Sequence, residues 1–194
     1  MKDSASETKQ QAILRAAFHA FATYGFRKTS MDDIARGAGM SRPAVYLHYK
    51  NKDDIFRSLV QGYYDQAAEQ VALALGSAGS TAEILAAAFR AQIGEAIEAM
   101  LNSPHGMELL DTGAATASDI KETGESRLCG LYADWLRARS EAGQIRLPGP
   151  SDQVAATITT ALKGLKTAGT DFATLKSRLA VLSALIAEGL DNRG

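Results

Sequence analysis

Apolar residues return every three or four positions along almost the whole chain, the period of a helix with one buried face. The first such stripe joins Ile13, Leu14, Ala17, Phe18, Phe21 and Tyr24. It predicts a helix from about Thr8 to Gly25, behind a polar tail of seven residues. A second, shorter helix starts at Ser30 and runs to about Arg36, with Ile34 and Ala35 facing inward. Ser30 and Asp33 resemble a capping box, with Asp in place of the usual Glu or Gln. The residues Gly37 to Gly39 interrupt the stripe, and Ser41 caps a third helix reaching about Tyr49, with Pro43 tolerated in its first turn. Two short helices around a glycine-containing turn make a helix-turn-helix, whose second helix can enter the DNA major groove.

The pattern continues without a change of period. Asn51 caps a fourth helix that passes Ile55, Phe56, Leu59, Val60 and Tyr63 towards Leu75, with Asp53 and Asp54 favourably placed in its first turn. A capping box at Ser80 and Glu83 opens a fifth helix to about Leu101. A short sixth helix lies around Met107 to Leu110, closed by Gly113, and a seventh spans about Thr116 to Ala142. Ser151 caps an eighth helix carrying Val154, Ile158, Leu162 and Leu165 and broken at Gly169, and the last runs from Asp171 towards Leu190. The prediction is an all-α fold of about nine helices, with a helix-turn-helix domain over residues 8–52 and a helical body over 53–194, joined through the fourth helix at about 51–75. No internal repeat or low-complexity segment occurs.

Composition agrees. Apolar residues make up 46% of the 194 positions, enough for a substantial core. They are mostly Ala and Leu, which favour helix. The net charge of −1 is unevenly divided. Residues 1–60 hold 10 Lys or Arg against 6 Asp or Glu, and the remainder hold 11 against 16. A basic head on an acidic body is the asymmetry expected if only the head meets phosphate. A single cysteine, Cys129, rules out an internal disulfide and a cysteine-rich metal site. The polar N-terminus lacks the core of a signal peptide, and no apolar run reaches the roughly 20 residues that span a bilayer. A cytoplasmic location is expected, away from the membrane.

The head resembles the TetR (tetracycline-repressor-like) family of one-component transcriptional regulators. The resemblance rests on Tyr24-Gly25-Phe26, Thr29-Ser30, Ile34-Ala35, Ala38-Gly39-Met40-Ser41, Tyr46, His48-Tyr49 and Lys52, all at the family's spacing. It covers about residues 10–60. It implies that Thr29 and Ser30 hydrogen-bond a phosphate, that Tyr46 and His48 add backbone contacts, and that Lys52 adds a charged one. Arg27 and Lys28 supply further positive charge, and Ser41, Arg42, Pro43 and Ala44 form the tip facing base edges. An Arg at such a tip suits a bidentate pair with guanine, and Ala44 suits a thymine methyl. Many family members carry small polar residues where this chain has Arg42-Pro43-Ala44-Val45, so the operator sequence stays open. Tyr46 and Tyr49 also fit core positions, and His48 also fits a helix cap.

For the body the resemblance implies a homodimer, reading a palindromic double-stranded DNA operator, through an intermolecular four-helix bundle. The stripes Ile158, Leu162, Leu165 and Leu175, Leu179, Leu182, Ile186 would supply it, with Val181 and Leu185 widening the second; the same stripes would equally complete a monomer core. A pocket for an apolar or aromatic effector would draw on Tyr63, Phe89, Met100, Met107, Tyr132 and Trp135, with His105 as a polar anchor, although such residues at helical spacing are also what a plain core contains. Repressor and activator are not separated by sequence. An all-helical binding protein without DNA affinity is the rival reading, opposed by the basic positions at 27, 28, 42 and 52.

Catalysis is not expected. Ser6-Glu7-Thr8-Lys9 matches a Ser-x-x-Lys pattern by letters only, in a polar tail without companion motifs. Histidines at 19, 48 and 105 are scattered, and no phosphate-binding or dinucleotide motif occurs. No cofactor and no metal are implied.

Overall fold

The structure is a computed structural model that describes residues 2–167 and 171–191. Nine helices are named among the described residues: α1 (Lys2–Tyr24), α2 (Met31–Gly37), α3 (Arg42–Tyr46), α4 (Lys52–Leu75), α5 (Thr81–Leu101), α6 (Gly106–Thr116), α7 (Ser118–Glu141), α8 (Ser151–Thr167) and α9 (Phe172–Leu190). No strand occurs among these residues; an isolated antiparallel bridge pairs Ile145 with Asp191. The all-α reading holds. The break expected at Gly169 lies outside the described residues.

The helix limits show which signals were decisive. Capping residues placed starts well. Ser30 accepts from Asp33 N–H while Asp33 accepts from Ser30 N–H, completing the box. Ser80 and Glu83 make the same reciprocal bonds, Asn51 caps α4 through Asp54 N–H at 2.8 Å, and Asp171 caps α9 through Thr174 N–H at 2.7 Å. Three starts or ends were misjudged. Helix α1 begins at Lys2, so polarity near the terminus did not mean absence of helix. Helix α3 stops at Tyr46, and α6 continues through Gly113 to Thr116. Helix α5 is broken at Gly94, whose φ of 64° and ψ of 171° lie where only glycine is comfortable, so the described residues hold ten helical pieces.

Two compact units are present. The first contains the chain up to Tyr63 together with Ala99–Glu122; the second contains Tyr64–Glu98 and the chain from Thr123 onwards. The first unit thus adds the early part of α4 and all of α6 to the helix-turn-helix expected over residues 8–52. Its core joins Ile13, Ala17 and Phe21 of α1, Ile34 and Ala35 of α2, Val45 of α3, Ile55 and Phe56 of α4 and Leu109 of α6. Phe21, Phe26 and Phe56 form a three-ring cluster with centroids 5.1–5.9 Å apart. The end of α6 and the start of α7 are also fixed from α4: Arg57 donates to the Thr116 carbonyl at 2.9 Å and to both Asp119 carboxylate oxygens at 2.8 and 2.7 Å.

The core of the second unit is built by Ala67, Ala68 and Val71 of α4, Ile84, Leu85, Ala88, Phe89 and Ile93 of α5, Leu128, Tyr132 and Leu136 of α7, and the inner faces of α8 and α9. The buried Tyr132 hydroxyl donates to Gln92 Oε1 at 3.0 Å. Gly124 lets α7 pass over Tyr64, because a β-carbon there would overlap the Tyr64 Cβ and ring.

Two predictions follow from this packing. Gly124→Ala should lower stability by about 1–3 kcal/mol through overpacking. Gly130→Ala, at an open exposed position of the same helix, should raise it by about 0.4–1 kcal/mol; thermal unfolding of the two variants side by side checks both signs. Arg57 lowers the Asp119 carboxyl from its ordinary 3.8 to about 2. A depressed carboxylate stabilises fully above its unfolded value and loses that contribution as pH falls towards the folded one. Denaturant titrations at pH 4, 3 and 2 should therefore show a steeper acid loss in wild type than in Asp119→Asn.

Candidate nucleic-acid interface

The connector Gly25–Ser30 sets the position of α2. Thr29 is 2% exposed, and its hydroxyl donates to the carbonyls of Gly25 at 2.8 Å and Ala20 at 3.2 Å. Its N–H donates to Gly25 O at 3.2 Å. From the start of α4, Lys52 Nζ donates to Phe26 O at 2.7 Å, Thr29 O at 3.0 Å and Arg27 O at 3.1 Å, and lies 4.7 Å from the centre of the Phe26 ring. From α6, Glu108 accepts from Arg27 N–H at 3.3 Å and pairs with His105 Nδ1 at 3.1 Å. The Arg27 N–H, with His105 beside it, holds the Glu108 carboxyl below its usual range.

The turn between α2 and α3 is a helix stop of the Schellman type. Met40 N–H donates to Ala35 O at 2.9 Å and Gly39 N–H to Arg36 O at 3.2 Å, with Gly39 at φ 65°. Gly37 has a different task, since a β-carbon there would crowd Ala16 of α1. Ser41 then caps α3 by accepting from Ala44 N–H. Val45 is fully buried and anchors the helix, while Arg42, Pro43, Tyr46 and Leu47 are exposed beside a half-buried Ala44. Arg42 Nη1 donates to Asp32 Oδ2 of α2 at 3.1 Å, and Nη2 donates to the Tyr46 hydroxyl at 3.2 Å. The Tyr46 hydroxyl, followed by Asp32, raises the Arg42 guanidinium above its ordinary value. One short helix therefore presents a cation and an apolar tip outward from a rigid seat, the arrangement a major-groove reader needs.

Residues 13–59 match the family profile described as bacterial regulatory proteins, tetR family. The transcriptional regulator AcrR of Shigella flexneri is 41% identical over 58 residues, 30% of this chain and 26% of AcrR. The alignment thus spans about a quarter of that relative's length. The transcriptional repressor Rv1474c of Mycobacterium tuberculosis is 28% identical over 166 residues, 81% of this chain and 80% of Rv1474c. A crystal structure from Mesorhizobium loti, described as a TetR-family regulator, superposes with a TM-score of 0.74 at 21% identity, covering 96% of this chain and 98% of that one. Residues 13–59 therefore carry the tetR-family profile, and the chain shares its fold with that TetR-family structure over nearly its whole length.

Several residues expected to act in a TetR-family head are placed otherwise. Thr29 faces inward with its hydroxyl and N–H both engaged, so it shapes the connector and has no group left for a phosphate. The three donors of the Lys52 ammonium go to three connector carbonyls, and its charge remains near the surface. Ser30 is exposed, with its hydroxyl and N–H both bonded to Asp33. Arg27 and Lys28 are exposed, and His48 is half-buried. Tyr49 packs against the head's core. Two surface residues were missed. Leu47, 85% exposed, falls between the Val45 and Tyr49 positions of the inward face, a spacing that marks it as outward. Asp32 carries no local signal for its bond to Arg42 ten residues on.

The residues expected to line a pocket fall in both units. Tyr63, Met100, His105 and Met107 belong to the first unit, whereas Phe89, Tyr132 and Trp135 belong to the second. Met100 packs on the head's core, His105 is bonded to Glu108, Met107 is 49% exposed and Tyr63 is half-buried. Phe89 and Tyr132 are both fully buried with rings 6.0 Å apart, and Trp135 carries Arg139 over its ring at 5.2 Å. A cleft of about 490 Å³ lies between α1 and α2, lined by Arg15, His19, Tyr24 and Arg36 among others. The residues expected at a dimer face divide by burial. Ile158, Leu162, Leu175 and Leu179 are buried within the chain itself, and Leu165, Leu182 and Ile186 are half-buried. The outward apolar residues of α9 are Val181 and Leu185, at 57% and 62% exposure. Among the described residues no group of His, Cys, Asp and Glu could hold a metal ion, and no helix is long and apolar enough to cross a membrane.

The Lys52 bonds give a direct prediction. Lys52→Met keeps the stem over Phe26 but removes the donors, and should lower the head's stability by about 2 kcal/mol. Amides 25–30 should then exchange faster with deuterium in DNA-free protein. Exchange as slow as in wild type would restore Lys52 to a role on DNA alone.

Proposed function

We propose that the protein is a DNA-binding transcriptional regulator that acts as a homodimer on a palindromic operator, most simply as a repressor. The observation that carries this reading is α3: Val45 anchors it while Arg42, Pro43 and Tyr46 face outward beside a half-buried Ala44, on a connector held from α1, α4 and α6. Phosphate contacts fall to Arg27, Lys28 and His48, with base contacts at Arg42 and Ala44. One such helix makes few contacts, and two of them, set about 34 Å apart by a dimer, read successive turns of the major groove. The exposed Val181 and Leu185 on α9 are where a second copy would pack, flanked by the half-buried Leu182 and Ile186.

Release by a small apolar or aromatic effector fits the second unit, where the Tyr132–Gln92 hydrogen bond sets one polar pair against Phe89 in apolar surroundings. The shift an effector can cause is bounded by its preference for the released state. The protein would meet its operator in the cytoplasm.

Selection from random duplexes should enrich two inverted half-sites with one preferred base opposite Arg42. Val181→Asp combined with Leu185→Asp should turn a dimer into a monomer in sedimentation and cut operator affinity at least about 100-fold, since the second half-site is lost. A wild-type protein that is monomeric at micromolar concentration, or that enriches no sequence, would overturn the reading.

A further inference from the structure

The Arg42 guanidinium is already engaged before any DNA arrives. It bridges the two helices of the reading head, from Asp32 near the start of α2 to Tyr46 at the end of α3, and its Cζ stands 5.4 Å from the centre of the Tyr46 ring. Both ends of the Arg42–Asp32 pair are open to solvent, at 55% and 58% exposure, so the pair adds little to folding. Its value must lie elsewhere. A long cation at an exposed tip is drawn to the nearest phosphate, and phosphate contacts carry no sequence information. A guanidinium gripped at two points has its plane and direction set beforehand, and less freedom is lost when it docks. Two of its five donors are taken, and three remain, which is more than a bidentate pair with guanine requires. The carboxylate beside it also repels every phosphate alike, weakening all DNA binding without favouring any sequence.

We propose that Asp32 is a positioning residue for base selection, holding Arg42 towards base edges and away from the backbone, so that discrimination rises while overall affinity falls. The proposal rests on α3 being the DNA-reading helix.

The test uses the full chain and random-duplex selection with sequencing, together with affinity for one non-cognate duplex. Five variants are compared with wild type: Asp32→Asn, Asp32→Glu, Asp53→Asn, Arg42→Ala and the double variant Asp32→Asn with Arg42→Ala. Asp53, exposed in the first turn of α4, removes the same charge from the head without touching Arg42. Non-cognate affinity should rise by a similar factor in Asp32→Asn and Asp53→Asn. Only Asp32→Asn should lose base preference at the Arg42 position, by about fivefold from a starting preference of about tenfold or more. Asp32→Glu should keep most of that preference, and in the Arg42→Ala background Asp32→Asn should change no base preference at all.

An unchanged preference profile in Asp32→Asn would sink the proposal while leaving the DNA-reading assignment intact. A sharpened profile would do the same, because Asp32 would then be masking Arg42. Preference lost equally in the Arg42→Ala background would show that Asp32 acts by some other route. Wild-type protein that enriches no sequence would remove the DNA-reading assignment and the proposal together.

Discussion

The head depends on how the six-residue connector between α1 and α2 is held. Its backbone carbonyls at Phe26, Arg27 and Thr29 converge on one ammonium, that of Lys52, which also sits over the Phe26 ring. A loop that turns this tightly has few carbonyls facing neighbouring backbone, and each one buried without a partner would cost about 1–3 kcal/mol. A single Lys with three donors meets that need from one point, where an Arg fork would demand a flatter arrangement of acceptors. The rings of Phe21, Phe26 and Phe56 then close the apolar side of the same connector, tying α1 and α4 to it. The position of α2, and with it that of α3, follows from this junction.

Helix α6 grips the junction from another side. Glu108 accepts the Arg27 N–H, Leu109 enters the head's core, and Arg57 binds the Thr116 carbonyl at the far end of the helix. Charge and packing thus act on one short helix at both ends, and it belongs to the same compact unit as the helix-turn-helix. Any event that displaced α6 would act on the Arg27 amide directly, one residue from the Phe26 carbonyl that Lys52 holds. The coupling is short because it runs through backbone groups and not through a chain of flexible side chains.

Much of this was legible in the sequence, and the reasons for success and failure are specific. Caps placed helix starts because Ser30, Ser80, Asn51 and Asp171 bond within three residues of themselves, a distance that sequence spacing encodes. The inward face of the head was legible because Ile13, Ala17 and Phe21 obey one period. The fate of Thr29 and Lys52 was not. Both carry polar groups suited to phosphate, and only the fold reveals that carbonyls as far as 26 residues away in sequence take those donors first. The Asp32–Arg42 bond is hidden for the same reason, since ten residues and a turn separate two side chains that meet across a helix pair.

The same limit explains the body. A stripe that fills a monomer's core and a stripe that meets a second copy are both apolar and both helical in period, so periodicity finds them without telling them apart. On α9 the two lie side by side: Leu175, Leu179 and Leu190 turn inward, while Val181 and Leu185 are displaced by about a third of a turn and remain in water. Exposed residues of this size are unfavourable in an isolated chain, and a surface helix that keeps two of them four positions apart has no folding reason to do so. What stands out at the C-cap of α3 is of the same kind, since Leu47 is more exposed than either. The surfaces best suited to partners are therefore the apolar residues that the core's own period leaves out.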